Sequence, residues 1–366
     1  MRITFALRAD AEQKPGGDSR KVARYIDGLR SKGVEGTVVY SADDVPATRP
    51  DLVHLMNLDL PIENLIYARR LRREGRPFVL STIRHPFEGV AKMYESGDDR
   101  FYRLLRGFGL PADHGVVVRE HLKLAKRMRL LTPISFRSNS AAQHELLSLA
   151  SAHLPMAPGE RDAIRRDFGE TSPDFLVPNG FSLSSVREGA RSAAKFDLVS
   201  VGRIEPRKNA LNLVRAVANT QLRLLIVGGE NVNHPQYFQE FLRQVNANPR
   251  VSYVGPLDQT GVISSLRSAS AYVNAAWFEV VSQADVEAAT LGLPVLSTVH
   301  SYLDDILGPG HAIVDPGKIA SEDAGEYLCS QIEKAKLASV TITSKPTWQD
   351  ASDALKVAYS STLTEA

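Results

Sequence analysis

The sequence predicts an α/β protein built from two Rossmann-like, doubly wound parallel-sheet domains facing each other across a cleft. Three observations carry this expectation. Short apolar runs alternate with amphipathic segments along all 366 residues. Several of the runs are unbroken Val/Ile/Leu stretches, as expected for strands covered by helices on both faces. The pattern also starts afresh near the middle of the chain, and strand–helix alternation of this kind builds parallel sheets. A chain of this length divides naturally into two or three domains, each long enough to bury a core.

In the first half, Ile3–Leu7, Thr37–Ser41, Leu52–Met56, Phe78–Thr82 and Leu130–Ile134 read as strands. Val22, Ile26 and Leu29 share one face of an intervening helix. Asn179-Gly180 is a turn dipeptide, and the Ser-rich, charged stretch Ser182–Lys195 follows it as a candidate hinge. Beyond the hinge, Leu198–Val201, Leu222–Val227, Val251–Val254, Ala271–Asn274, Pro294–Thr298 and Ala312–Val314 read as strands. The expected domains are residues 1–180 and 181–345, with a final helix over 346–366 crossing back to the first. Ligands of such sheets bind outside the carboxyl ends of the strands.

Hydrophobic residues make up 43% and charged residues 23%, the balance of an ordinary globular protein. The single cysteine, Cys329, excludes an internal disulfide and a cysteine-cluster metal site; in its helix-like run it reads as a buried bystander. No run approaches the ~18–20 apolar residues of a membrane span. The segment MRITFALRAD is too short and polar for a signal peptide, so a reducing, cytoplasmic setting is expected. Net charge is +2, unevenly spread: residues 1–180 hold 28 Lys and Arg against 23 Asp and Glu, the remainder 16 against 19. The basic runs Arg69, Arg70, Arg72, Arg73, Arg76 and Arg119, Lys123, Lys126, Arg127, Arg129 read either as solvated helix faces or as attractors of anionic lipid headgroups. Without zinc-ligand spacing or aromatic–basic interleaving, a nucleic-acid partner is not expected.

The most informative segment is Val201-Gly202-Arg203-Ile204-Glu205-Pro206-Arg207-Lys208-Asn209. It leaves a predicted strand, turns at Gly202 and Pro206, and enters a helix, so Arg203 and Lys208 project at the binding edge of the second sheet. A guanidinium that forks onto two oxygens beside a point-charge ammonium suits a diphosphate. Downstream, Glu279 and Glu287 stand eight residues apart, which misses a shared helix face by about 80°. Glu279 therefore belongs in the loop before a helix and Glu287 within it. That helix is expected to begin near Ser282, whose hydroxyl is a candidate cap, with free N–H groups ready for a phosphate. Gly292-Leu293-Pro294 ends it. His85 follows a first-half strand, where a cleft residue and a satisfied loop residue are both open readings. Asn57 is a weaker candidate for the same cleft, and Arg84 for an anionic acceptor. His54 and His300 read as structural.

Taken together, Gly-Arg-x-x-x-x-Lys, Glu-x7-Glu-Ala and Gly-x-Pro-Val resemble glycosyltransferase family 4, retaining enzymes of the two-Rossmann GT-B fold. Gly16-Gly17 resembles the family's amino-terminal glycine loop, Val177-Pro178-Asn179-Gly180 its interdomain signature, Tyr253-Val254-Gly255 the loop near the base, and Thr347-Trp348 the start of the final helix. The resemblance implies that Arg203 and Lys208 hold the diphosphate and stabilise its departure. Glu279, with His85, would contact the donor sugar, and Glu287 the ribose. Backbone at Ser282 and Gln283 would cradle phosphate and sugar, and Tyr253 with Val254 would meet the base. Gly202 would turn the diphosphate loop, while Gly16 and Gly17 would approach the phosphates from the acceptor-binding first domain. No Asp-x-Asp pair is present, so no metal or other cofactor is expected beyond the nucleotide-sugar co-substrate.

The expected activity is retaining transfer of a hexose-type sugar to a glycan or lipid-linked acceptor in polysaccharide or glycoconjugate biosynthesis. The Trp277-Phe278-Glu279 branch slightly favours a GDP-sugar such as GDP-mannose over a UDP-sugar. The basic first domain hints at peripheral contact with an anionic membrane. One departure stands out: Glu279-Val280-Val281-Ser282 replaces the family's usual Glu-Gly-Phe-Gly. It keeps open a catalytically degenerate sugar-nucleotide or glycan-binding protein, and an epimerase on the same fold is a further alternative.

Overall fold

The computed structural model describes residues 1–14, 16–128, 137–181, 194–338, 340, 342 and 345–365. The chain divides into two compact units. One comprises Met1–Arg84, Leu104–Phe181 and Pro346–Ala366; the other, His85–Arg103 and Ser182–Lys345.

The first unit is a five-stranded parallel sheet of β1 (Arg2–Ala6), β2 (Glu35–Val39), β3 (Leu52–Met56), β4 (Phe78–Ser81) and β5 (Ala152–Leu154), in the order β2-β1-β3-β4-β5. Every residue of β3 is buried, because successive side chains enter two different cores. Val53 and Leu55 pack with Leu65, Ala68 and Leu146 on one face. Leu52 and Met56 pack with Val22, Tyr25 and Leu29 on the other, together with Leu355 and Tyr359 of the closing helix Trp348–Glu365. His54 lies in this second core because both ring nitrogens are satisfied, Nδ1 by Tyr359 Oη at 2.6 Å and Nε2 by Ser81 Oγ at 2.8 Å. A Cβ at Gly28 would stand 2.0 Å from Ser352 Oγ, so helix Gly17–Arg30 meets the closing helix there at a distance only glycine permits.

The second unit is a six-stranded parallel sheet of β6 (Phe196–Val201), β7 (Leu224–Val227), β8 (Val251–Tyr253), β9 (Ala269–Val273), β10 (Val295–Thr298) and β11 (Ala312–Val314), ordered β11-β10-β9-β6-β7-β8. Leu198, Ile226, Val273 and Leu296 of the sheet pack against Val214, Val217, Phe241, Leu328 and Ile332 of the covering helices. Helix Phe87–Ser96 belongs to this unit although its sequence follows β4.

Most expected strands are present with ends shifted by one or two residues. The short β5 was not foreseen, since three residues centred on His153 give no apolar run. The expected strand Leu130–Ile134 and residues 182–193 of the expected hinge lie outside the described residues. Cys329 is exposed rather than buried. Leu328, Gln331, Ile332 and Ala335 take the inner face of helix Ala324–Leu337, and one residue on from Leu328 is a rotation of about 100° away from it. The first basic run is largely paired: Arg69 with Glu145 at 2.6 Å, Arg70 with Glu74 at 2.9 Å and Arg76 with Glu74 at 3.1 Å. Surface pairs of this kind contribute about 0–1 kcal/mol each. Among the described residues, no helix is long and apolar enough to cross a membrane.

Candidate functional site

In both sheets the chain winds outward in two directions from a central pair of strands. In the second unit it runs β6→β7→β8 to one side and β9→β10→β11 to the other, so β6 and β9 flank the switch point. Loops leaving the carboxyl ends of such a pair diverge and leave a crevice for ligand. In the first unit the equivalent pair is β1 and β3, which places the Gly16-Gly17 loop and Asn57 at that sheet's crevice.

The β6 loop is anchored by Ile204, fully buried and bridged to Glu230. It passes through the turn Pro206–Lys208 and enters helix Ala210–Ala218 at Asn209, whose φ is 58°. The β9 loop crosses it, with the Trp277 N–H donating to Arg207 O at 2.9 Å and the Glu279 N–H to His300 O at 2.9 Å. Lys208 and Glu279 thus meet: Lys208 Nζ donates to Glu279 Oε1, and Arg207 Nη1 lies 3.2 Å from Oε2. Burial opposes ionisation of Glu279, yet Lys208 and Arg207, with a smaller contribution from His85, hold it down to about 2. Arg207 also reaches Glu205 at 3.2 Å. Glu205 is pushed upward by burial but kept below the ordinary carboxylate range by Arg207 and Arg203. Arg203 is the exposed cation of the loop, with 59% of its side chain accessible and Glu205 at 3.5 Å.

Gly202 leaves its Cβ direction to the Lys208 stem, which a methyl would meet at 3.4 Å. The tighter requirement is at Gly228, at the end of β7, with φ +150°. A Cβ there would stand 1.9 Å from Gly202 O, a backbone atom that cannot step aside. Gly228→Ala is therefore expected to destabilise the second unit by about 3 kcal/mol or more, combining overpacking and strain, whereas Gly202→Ala folds. Thermal denaturation of the two variants checks this.

Helix Gln283–Thr290 starts where expected, with Ser282 at its N-cap, but the Ser282 hydroxyl does not cap it. It turns to Asp285. Asp285 is fully buried and collects Tyr272 Oη at 3.0 Å, Asn274 Nδ2 at 2.9 Å and Ser297 Oγ. Burial pushes Asp285 above its ordinary value, with the Ser282 and Ser297 hydroxyls working against that. The helix therefore begins without a side-chain cap on its N–H groups, beside exposed Gln283. Glu287, further along, accepts from Gln259 Nε2 at 3.0 Å and is raised by burial.

Tyr253 packs its ring at 6.1 Å from Phe238 and 5.2 Å from Phe241, and donates its hydroxyl to Gly228 O at 2.8 Å. Val254 beside it is 48% accessible, and Leu257 further along the loop is 41% accessible. His85, expected to accompany the first sheet, sits in the second unit with its ring 4.9 Å from that of Phe278. Helix Phe87–Ser96 can approach this closely because Gly89 has no side chain; a Cβ there would meet Trp277 O at 2.4 Å.

In the first unit, Gly16 has Asp18 and Arg8 side chains against the position of a Cβ, while Gly17 faces open space at the start of its helix. Asn57, at φ 81°, accepts the Asp59 N–H through Oδ1 at 2.9 Å. Arg84 is not an outward-facing cation. It is 4% accessible, paired with Asp167 at 2.7 Å and stacked over the Phe168 ring at 4.9 Å, an internal role that replaces the acceptor contact expected for it. The structure brings Lys208, Glu279 and His85 together and adds Arg207, Glu205, Asp285 and Gly228, which sequence reasoning passed over. Arg207 adjoins Lys208 and Gly228 closes a predicted strand, but neither charge nor glycine alone said what it touches.

Residues 185–343 match the family model described as glycosyl transferases group 1. No curated protein matches the chain in sequence. Solved structures of similar fold include sucrose-phosphate synthase from Thermosynechococcus elongatus, at 14% identity and a TM-score of 0.64, covering 100% of this chain and 97% of that one. HepE of Anabaena in complex with UDP and glucose gives 16% and 0.60, over 100% and 98%. The catalytic domain of starch synthase IV from Arabidopsis thaliana, bound to ADP and acarbose, gives 11% and 0.58, over 99% of each chain. The second unit thus carries the glycosyl transferases group 1 match, and the whole chain has the two-sheet fold of GT-B glycosyltransferase structures.

Proposed function

We propose that the protein is a retaining, metal-independent glycosyltransferase that moves a hexose from a nucleoside diphosphate donor to a glycan or lipid-linked acceptor. The observation that carries this reading is the Lys208–Glu279–Arg207 cluster at the switch point of the second sheet, inside the segment matched by the family model. Lys208 and Arg203 take the diphosphate, and the uncapped start of helix Gln283–Thr290 adds N–H groups to it. These preorganised charges stabilise the departing diphosphate as the glycosidic bond breaks. Glu279 accepts hydrogen bonds from the donor sugar, with His85 beside it, and Glu287 takes the ribose. The acceptor hydroxyl attacks from the face the diphosphate leaves, and a phosphate oxygen takes its proton. Gly16 and Gly17 serve the donor's phosphates and Asn57 the acceptor side, and contact with an anionic membrane would bring a lipid-linked acceptor close.

A GDP-sugar such as GDP-mannose is the first donor to test, from the Trp277-Phe278-Glu279 sequence. UDP-glucose and ADP-sugars join the panel because similarly folded proteins are crystallised with UDP-glucose and with ADP. The first measurement is thermal stabilisation of the protein by GDP, UDP, TDP and ADP, with EDTA present. A ligand at 100 times its dissociation constant is expected to add about 2.7 kcal/mol. The preferred nucleotide should lose most of that effect in Glu287→Ala. No stabilisation by any of them would refute the donor site, and a stabilising nucleotide whose sugar is never transferred would favour a binding protein instead.

A further inference from the structure

Resting on the donor-site reading above, we infer that Arg207 is a positioning residue: it holds the Glu279 carboxylate in place and charge-balanced when Lys208 leaves it for the donor's diphosphate. Glu279 has two cations, Lys208 on Oε1 and Arg207 at 3.2 Å from Oε2. An arriving diphosphate, with its higher charge, competes with the carboxylate for the three N–H donors of that ammonium. Lys208 is the cation able to turn, a point charge on a flexible four-carbon stem. Arg207 is fixed from several sides. Its guanidinium reaches Glu205 at 3.2 Å, donates to Phe278 O at 3.3 Å and lies 5.7 Å from the centre of the Phe278 ring. Its carbonyl accepts the Trp277 N–H at 2.9 Å. A planar fork held on two loops keeps its position while its neighbour moves.

Among the described residues, the charged and titratable groups that act on Glu279 are Lys208 and Arg207 from the β6 loop, His85 just before helix Phe87–Ser96, and Asp285 and Tyr272. Arg207 is the only guanidinium among them. Glu279 is 7% accessible, so with Lys208 turned away and Arg207 removed, burial favours its protonated form. A protonated Glu279 offers the sugar hydroxyls a weaker acceptor, while the diphosphate contacts are unaffected.

The test measures dissociation constants from pH 5 to 8 for a nucleotide-hexose and for the matching bare nucleoside diphosphate, and follows their ratio. The terminal phosphate of the bare diphosphate titrates near pH ~6, so the wild-type ratio is the baseline profile. Relative to it, the ratio in Arg207→Gln should move against the nucleotide-hexose on acidification, by up to about tenfold per pH unit below the new pKa. Arg207→Lys should restore most of the wild-type profile. Should Arg207→Gln lose the wild-type circular dichroism, Arg207→Met carries the same expectation. A ratio in a folded Arg207 variant that follows the wild-type profile overturns the inference and leaves the donor site standing. Failure of the wild-type protein to bind any nucleotide overturns both.

Discussion

Replacing Lys208 with alanine is expected to lower turnover by about 10²–10³ at saturating donor, the usual effect of removing a preorganised charge from a developing anion. Lys208 is 19% accessible at the side chain and stands on Glu279 at the β6–β9 switch point, so its charge is partly shielded from water. An interaction made mainly in the transition state lowers kcat more than it raises the donor's KM. The fold should survive, because Glu279 keeps Arg207 and the loop keeps its backbone bonds to Trp277. Release of nucleoside diphosphate from donor and acceptor, followed at several donor concentrations, separates the two constants. Arg203→Ala belongs in the same experiment, its 59% exposure making it the cation already open to a ligand. Turnover that is unchanged in Lys208→Ala would remove that residue from the chemistry.

Glu160→Ala is expected to cost the first unit about 3–5 kcal/mol, since three buried donors lose their acceptor at about 1–3 kcal/mol each. Glu160 is fully buried and accepts from Thr82 Oγ1 at 2.5 Å, Arg84 N at 2.7 Å and Met156 N at 2.7 Å. It is also the carboxylate that offsets the buried ammonium of Lys21. Alanine leaves those donors without an acceptor and Lys21 without a counter-charge. The melting transition should fall by roughly 10 °C for a unit of this size. Burial pushes Lys21 down to about 8 despite Glu160, whereas an unfolded lysine holds its proton to about 10. The charged lysine therefore costs the folded state stability as pH falls from about 10 through 8, and in full below that. Raising the pH from 7 to 10 should narrow the gap between variant and wild type, and the double variant Lys21→Met/Glu160→Ala should recover part of the loss. A gap that does not change with pH would mean that the lost hydrogen bonds, not the lysine's charge, set the cost.

Local pattern made much of this protein legible. Continuous Val/Ile/Leu runs are strands buried on both faces, so β1, β3, β6, β7 and β10 could be read directly, and strand–helix alternation gave the parallel sheets. The order Gly202-Arg203…Lys208 and the separation of Glu279 from Glu287 placed those residues at a strand edge, in a loop and in a helix. These are consequences of backbone geometry within a few residues, which a sequence carries in full.

Contacts between distant segments were not legible in this way. Arg207 and Glu279 are 72 residues apart, and their pairing depends on β6 and β9 being neighbours. Arg84 reads from the sequence as a candidate for an anionic acceptor, and Asp167 and Phe168 enclose it. The Ser282 hydroxyl left its helix because Asp285, buried by strands on either side, required donors. His85 follows a strand of the first sheet but packs with the second unit, through a glycine whose role is set by Trp277. In each case a side chain's partner is chosen by which strands lie side by side, and strand order is a property of the whole chain that no local run of residues encodes.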